Sequence, residues 1–401
     1  MGMFGLFESG RKRFARQVID GVRAQGWDGR LDHDEGGFRL DLGTPDPVEL
    51  EPLFGHWSNA RGASRQAALD HAVTFVLEAG ADPGWEACKD LVVPLVRAAD
   101  RLNACYGTPN PSASRPLQDE LAILLGVDRP HSLTIVTLDH LSTWERSFAE
   151  VLEVAMANLR RREPLAFERD EGGFFVSAGD DYNDVSRLLV PETFAALELK
   201  GSPVAIPVTR DLLLVAGSEE PEALSAMAVY ARMVLERHGP PVSHTPVVFA
   251  DGAWQAYEAT GPAFRALAAL QAANLYEREH PRLAERLERD GRSAAIAGLA
   301  LLPEGEGVAS VALRTEPESL IPRADYVVVR TGAGETLARA WSDVEAAVGA
   351  LLLEPNTVGR FYLSGGWPSA EALDRLAAAP TPQWAEGRGV GVANGRLTLF
   401  G

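Results

Sequence analysis

Cysteine is nearly absent: Cys88 and Cys105 are the only two in 401 residues. Neither belongs to a CxxC pair, and two isolated thiols fall short of the ligand set that a structural zinc requires. Two buried thiols in a reducing compartment are expected, with a bridge between them as the alternative. Long apolar runs are also missing. No stretch approaches the length of about 18 uncharged apolar residues that spans a bilayer, so no membrane span is expected. The basic cluster Arg11, Lys12, Arg13 and Arg16 is not followed by the apolar segment of a signal peptide. Leu6 stands where a myristoylation signal has Ser or Thr. Positive charge is short: 38 basic side chains face 56 acidic ones, for a net charge of −18. That balance argues against bulk attraction to nucleic acid or anionic membranes. A cytoplasmic protein is expected, and a protein or small-molecule partner is favoured over nucleic acid.

The familiar catalytic signatures are missing as well. The eight histidines form no HExxH or HxH, and there is no GxSxG, GxGxxG or Walker A sequence. RTGAGETLARAW at 330–341 comes nearest to a glycine-rich phosphate loop. It reads as a loop between a strand and a helix, but it lacks the Walker lysine and hydroxyl. A plain turn is the expectation, with an anion held on backbone N–H groups as the alternative.

What is present is ordinary globular material, 46% hydrophobic and 23% charged. Phe14, Val18, Ile19 and Val22 mark an amphipathic first helix packed on its domain, with a membrane-surface helix as the alternative. Leu91–Arg97 reads as a strand that Pro94 confines to a sheet edge. Leu121–Val127 and Leu133–Leu138 pair as a hairpin or form one broken strand. A helix follows from near Trp144, with Ser142 or Thr143 as its cap. Leu165–Glu168 and Phe174–Ser177 flank a turn, Asp170 to Gly173. Val204–Val208 and Leu212–Ala216 precede a helix capped by Ser218 and stopped by Gly239-Pro240-Pro241. After a long helical stretch over 262–288, further strands and helices alternate to the end. The fold class is α/β of the α+β type, a mixed or antiparallel sheet with packed helices and a second, smaller α/β domain. The division is set at 1–285, with subdomains split near 110–125, and 286–401.

The clearest polar cluster is Gly179, Asp180, Asp181, Tyr182, Asn183, Asp184, Ser186 and Arg187. On a helix, Asp180 and Asp184 would stack their carboxylates. Such a pair suits a divalent cation, and Asp180, Asp181 and Asp184 are the candidate ligands. It also suits divided acid and base roles. The blander reading makes Asp181 or Asp184 a helix cap and pairs Arg187 with a carboxylate. Arg187 and Arg210 adjoin the apolar runs Leu188–Val190 and Leu212–Val215. One of them is expected in a buried or half-buried ion pair with Asp180, Asp181 or Asp211. No other cofactor is expected.

Five blocks carry a resemblance: VVPLVRA at 92–98, DELAILLGVD at 119–128, VAMANL at 154–159, GDDYNDVSRLL at 179–189 and SPVAIPVTRDLLLVAGSEE at 202–220. Together they resemble the YtpQ-like family of uncharacterised bacterial proteins, over roughly residues 10–260. The resemblance implies a cytosolic, mixed α/β protein without an assigned activity, and it supplies no catalytic residue. It matches Arg97, Asp119, Asn158, Asp180, Asp181, Ser186, Arg187, Arg210 and Asp211 to positions where the family pattern is polar. The region from 285 onward lies outside it. The functional expectation is a non-catalytic binding or scaffold role. The alternative is a metal-assisted hydrolase centred on Asp180, Asp181 and Asp184, and Tyr182, Ser186, Arg187, Arg210 and Asp211 complete the candidate polar site.

Overall fold

The computed structural model describes residues 10–43, 47–80, 84–99, 111–118, 120–130, 132–162, 164–179, 183–237, 242–243, 245–302, 307–312, 318–330, 336–348, 352–353, 361–365, 369–393 and 396–400. The architecture is mixed α/β with several sheets and packed helices. The chain groups into two compact units, one of residues 1–164 with 186–190 and the other of 165–185 with 191–401.

In the first unit the helix Gly10–Ala24 buries Phe14, Ala15, Val18 and Val22. They pack with Trp57, Val73 and Val76 from the helices Glu51–Asn59 and Ala63–Gly80. The basic cluster on the opposite face reaches carboxylates and rings, with Arg11 on Glu51 and Arg13 over Trp57. A four-stranded sheet follows. Val92–Ala98 pairs with Leu121–Asp128, which also pairs with Ser114–Gln118 and, as a hairpin, with Leu133–Ile135. Val92–Ala98 is an edge strand, as Pro94 requires. Its run and that of Leu121–Val127 are apolar at successive positions because both faces are covered. Val92, Ile123, Leu125 and Val127 face the helix Phe148–Arg161, through Val151, Leu152 and Ala155. Val93, Leu95, Ala122 and Leu124 fill the other face. That helix is capped by Ser147, not by Ser142 or Thr143. A separate short helix, Leu138–Thr143, with Thr137 as its own cap, takes up the two residues expected to serve.

In the second unit six antiparallel strands run in the order Ala253–Ala256, Val247–Ala250, Pro203–Thr209, Leu212–Gly217, Phe175–Ser177, Phe167–Arg169. The expected turn forms at Asp170–Gly173, where Gly173 takes φ +89° and the Asp170 carboxylate accepts the Gly172 N–H at 2.7 Å. Helix Pro221–Leu235 packs its Leu224, Met227 and Ala231 on this sheet. Ser218 is not its cap: its hydroxyl accepts the Ser202 N–H at 2.9 Å, and Glu220 holds the N-cap position without a side-chain cap bond. The Gly239-Pro240-Pro241 stop lies outside the described residues.

The helix Pro262–Arg289 carries Phe264 and Leu267 into the core beneath that sheet, and Tyr276, Leu283 and Leu287 into a cluster around Leu320. Two four-stranded sheets follow, each with one parallel pairing, Ala295–Ile296 with Glu318–Pro322 and Val308–Ala312 with Tyr326–Arg330. Thr336–Ala340 is a strand paired antiparallel with Tyr326–Arg330, so 330–341 closes a hairpin and is not a strand–loop–helix turn. Its tip, 331–335, lies outside the described residues. The last two described strands, Gly389–Ala393 and Arg396–Phe400, pair antiparallel.

Candidate functional site

Asp180, Asp181 and Tyr182 lie outside the described residues. From Asn183 onward the polar segment is described, and it is inside the protein. Asp184–Leu189 forms a 3₁₀ helix, and Asn183, Asp184, Ser186 and Arg187 are all buried. Burial at polar positions demands hydrogen bonds. The Ser186 hydroxyl accepts the Val96 N–H at 3.1 Å, a donor of the edge strand that the sheet itself leaves unused. The Asp184 carboxylate accepts the Gly179 N–H at 3.3 Å. The Val185 N–H donates to the Arg210 carbonyl at 3.4 Å. Arg210 and Asp211 are exposed, and Asp211 accepts the Thr209 hydroxyl at 2.6 Å. Asn158 has a similar structural duty, donating to the carbonyls of Lys89 and Val92, each at 2.8 Å.

The divalent cation for which Asp180, Asp181 and Asp184 are the candidate ligands is corrected by the structure. Among the described residues no group of three or more His, Cys, Asp or Glu side chains could hold a metal ion. Asp184, the described member of the trio, is fully buried and spends a carboxylate oxygen on a backbone N–H. The same finding argues against the metal-assisted hydrolase. Cys88 is buried in the core beside Val92 and Trp144, while Cys105 lies outside the described residues. Among the described residues no helix is long and apolar enough to cross a membrane.

Two cavities lie elsewhere, both in the second unit. The first, about 660 Å³, is lined by Ala273, Tyr276, Glu277, His280 and Pro281 of the long helix, by Ala297, Leu299, Ala300 and Leu301, and by Leu397. Its helical wall follows from spacing: 273, 276, 277, 280 and 281 recur at three and four residues and share one face. Facing it is the strand Gly298–Leu301, an edge of its sheet. The walls are mostly aliphatic, Leu301 is 44% exposed, and Glu277 and His280 are the polar side chains that the helix contributes to the lining, both exposed. Pro281 has no N–H, so the Glu277 carbonyl lacks its helical donor at this wall.

The second cavity, about 630 Å³, is lined by Thr336, Leu337, Ala338, Arg339, by Pro380 and Thr381, and by residues 385–388 and Val390. Arg339 is 5% exposed. Its Nε donates to the Leu376 carbonyl at 2.6 Å, Nη1 to the Ala338 carbonyl at 2.7 Å and the Thr381 hydroxyl at 3.2 Å, and Nη2 to the Ala377 carbonyl at 3.3 Å. Burial pushes this guanidinium below its ordinary pKa range, against a partial offset from Asp343.

Neither cavity was singled out by its residues in sequence. Pro281 inside a helical stretch was the available signal for the first. Arg339 follows a glycine-rich stretch that reads as a loop, and nothing in that pattern marks a buried guanidinium. Comparison with family models, curated proteins and solved structures gives no match.

Proposed function

We propose that this chain is a non-catalytic binding protein whose ligand is a small, largely apolar molecule seated between the long helix and the strand Gly298–Leu301. The observation that carries the reading is the first cavity. At about 660 Å³ it has the size of a small-molecule site, aliphatic walls, and a few polar groups at one side to orient a ligand. Size favours a small molecule over a protein segment as its occupant. The acidic surface and the resemblance to the YtpQ-like family support a cytoplasmic setting for this role.

A titration with an environment-sensitive apolar dye tests it. Ala273 is half-buried on the cavity face of the helix, and phenylalanine is compatible with a helix there. Ala273→Phe fills the cavity and is expected to weaken dye binding by about tenfold, the cost of excluding a few buried methylenes. The melting temperature should hold. Dye binding of equal strength in wild type and variant overturns the assignment.

A further inference from the structure

Arg339 is buried, yet among the described residues the oxygens it reaches belong to neutral groups: three carbonyls and the Thr381 hydroxyl. Among the described residues it makes no ion pair. Two of the carbonyls, of Leu376 and Ala377, end the helix Ala370–Ala378, so Arg339 serves as a C-terminal cap. A helix terminus offers only about half an elementary charge, so capping leaves much of the guanidinium charge uncompensated. A buried charge in that condition calls for an anion. These four bonds leave one of the five guanidinium N–H donors, on Nη2, without a partner among the described residues.

The surroundings supply the rest of an anion site. Arg388 lines the same cavity and is exposed, its contact being the Trp384 carbonyl at 3.4 Å. Thr336 and Thr381 add hydroxyls, and Glu386 is the single carboxylate in the lining. One guanidinium fork, from Arg388, one spare N–H, from Arg339, and two hydroxyls line the cavity from different wall segments, an arrangement that suits a tetrahedral oxyanion better than a planar carboxylate. The cavity is much larger than such an ion, and Leu337, Pro380 and Val390 give it apolar wall for an attached organic body.

We propose that the cavity walled by Arg339, Thr381 and Arg388 holds the phosphate group of a small phosphorylated molecule. This site is separate from the apolar cavity at Tyr276, and the two assignments stand or fall independently. Calorimetric titration of the full chain with inorganic phosphate and with phenyl phosphate, at matched ionic strength in chloride, tests it. Both probes should bind, phenyl phosphate the more tightly. Arg388→Ala should weaken both by about tenfold, the worth of a charge-assisted hydrogen bond. The melting temperature of that unliganded variant should be unchanged, since Arg388 is exposed. Arg339→Lys keeps the charge but loses the fork, and should weaken binding at least as far. Absence of heat with either probe, or undiminished affinity in Arg388→Ala, overturns the proposal. Equal affinity for the two probes overturns its assignment to an ester and leaves inorganic phosphate as the ligand.

Discussion

At the scale of single residues, the buried polar side chains Ser186 and Asn158 hold the framework together. Ser186 is fully buried and answers the Val96 N–H. Ser186→Ala should therefore cost about 1–3 kcal/mol, the desolvation penalty of a buried donor left without an acceptor. Chemical denaturation measures this, and a change within a few tenths would show that another acceptor takes over. Arg187 and Arg210 looked equivalent beside their apolar runs, but only Arg187 is buried. Thr209 pairs with Leu212 across the hairpin, which leaves Arg210 and Asp211 as its two-residue tip. An apolar neighbour draws a side chain inward only when the backbone does not turn there, and Arg210 sits in the connection between two strands. The acidic segment was legible as a polar run. The burial of Asn183, Asp184, Ser186 and Arg187 was not, because Ser186 packs on an edge strand some ninety residues earlier in the chain, its hydroxyl against the Val96 N–H.

At the scale of elements, periodic apolar patterns were read correctly wherever one helix or hairpin answered for itself. The helix Phe148–Arg161 packs as its stripe demands. Its cap was misplaced because Ser147 and Glu150 form the capping box one turn later than expected. The Ser147 N–H, at 2.8 Å, and its hydroxyl, at 2.7 Å, donate to the Glu150 carboxylate and hold its pKa below the ordinary glutamate value. A carboxyl whose pKa is lowered on folding stabilises above its unfolded value, and that contribution is lost as pH falls through the folded value. Glu150→Ala should thus be less stable than wild type at neutral pH, and the gap should close in acid. A gap that persists below the carboxylate range would contradict the capping box. The long helix carries a second test. Pro281 inside it denies the Glu277 carbonyl a donor, so Pro281→Ala should raise stability by up to about 3 kcal/mol. Unchanged or lower stability would mean that the ring's packing outweighs the restored hydrogen bond. The strand Glu318–Pro322 escaped the sequence reading because it is short and its partners, Ala295–Ile296 and Phe361–Gly365, lie far along the chain, whereas Thr336–Ala340 is a local hairpin partner of Tyr326–Arg330 that the glycine-rich pattern hid. Local pattern cannot register such pairing.

At the scale of the whole molecule, the mixed α/β class was evident from alternating strand and helix patterns. The ligand cavities were not, since each collects walls from distant segments: residues 273–281, 297–301 and 397 in the first. Sequence reasoning favours compact motifs, and this protein places its polar run in the framework and its open space elsewhere. The measurement that bears most directly on the binding assignment is methyl NMR of the full chain during titration with an apolar probe. Shift changes concentrated on Ala297, Leu299, Ala300, Leu301 and Leu397, and lost in Ala273→Phe, are the predicted result. No shift changes, or changes centred on the exposed Val229 and Met233 of the helix Pro221–Leu235, would contradict it.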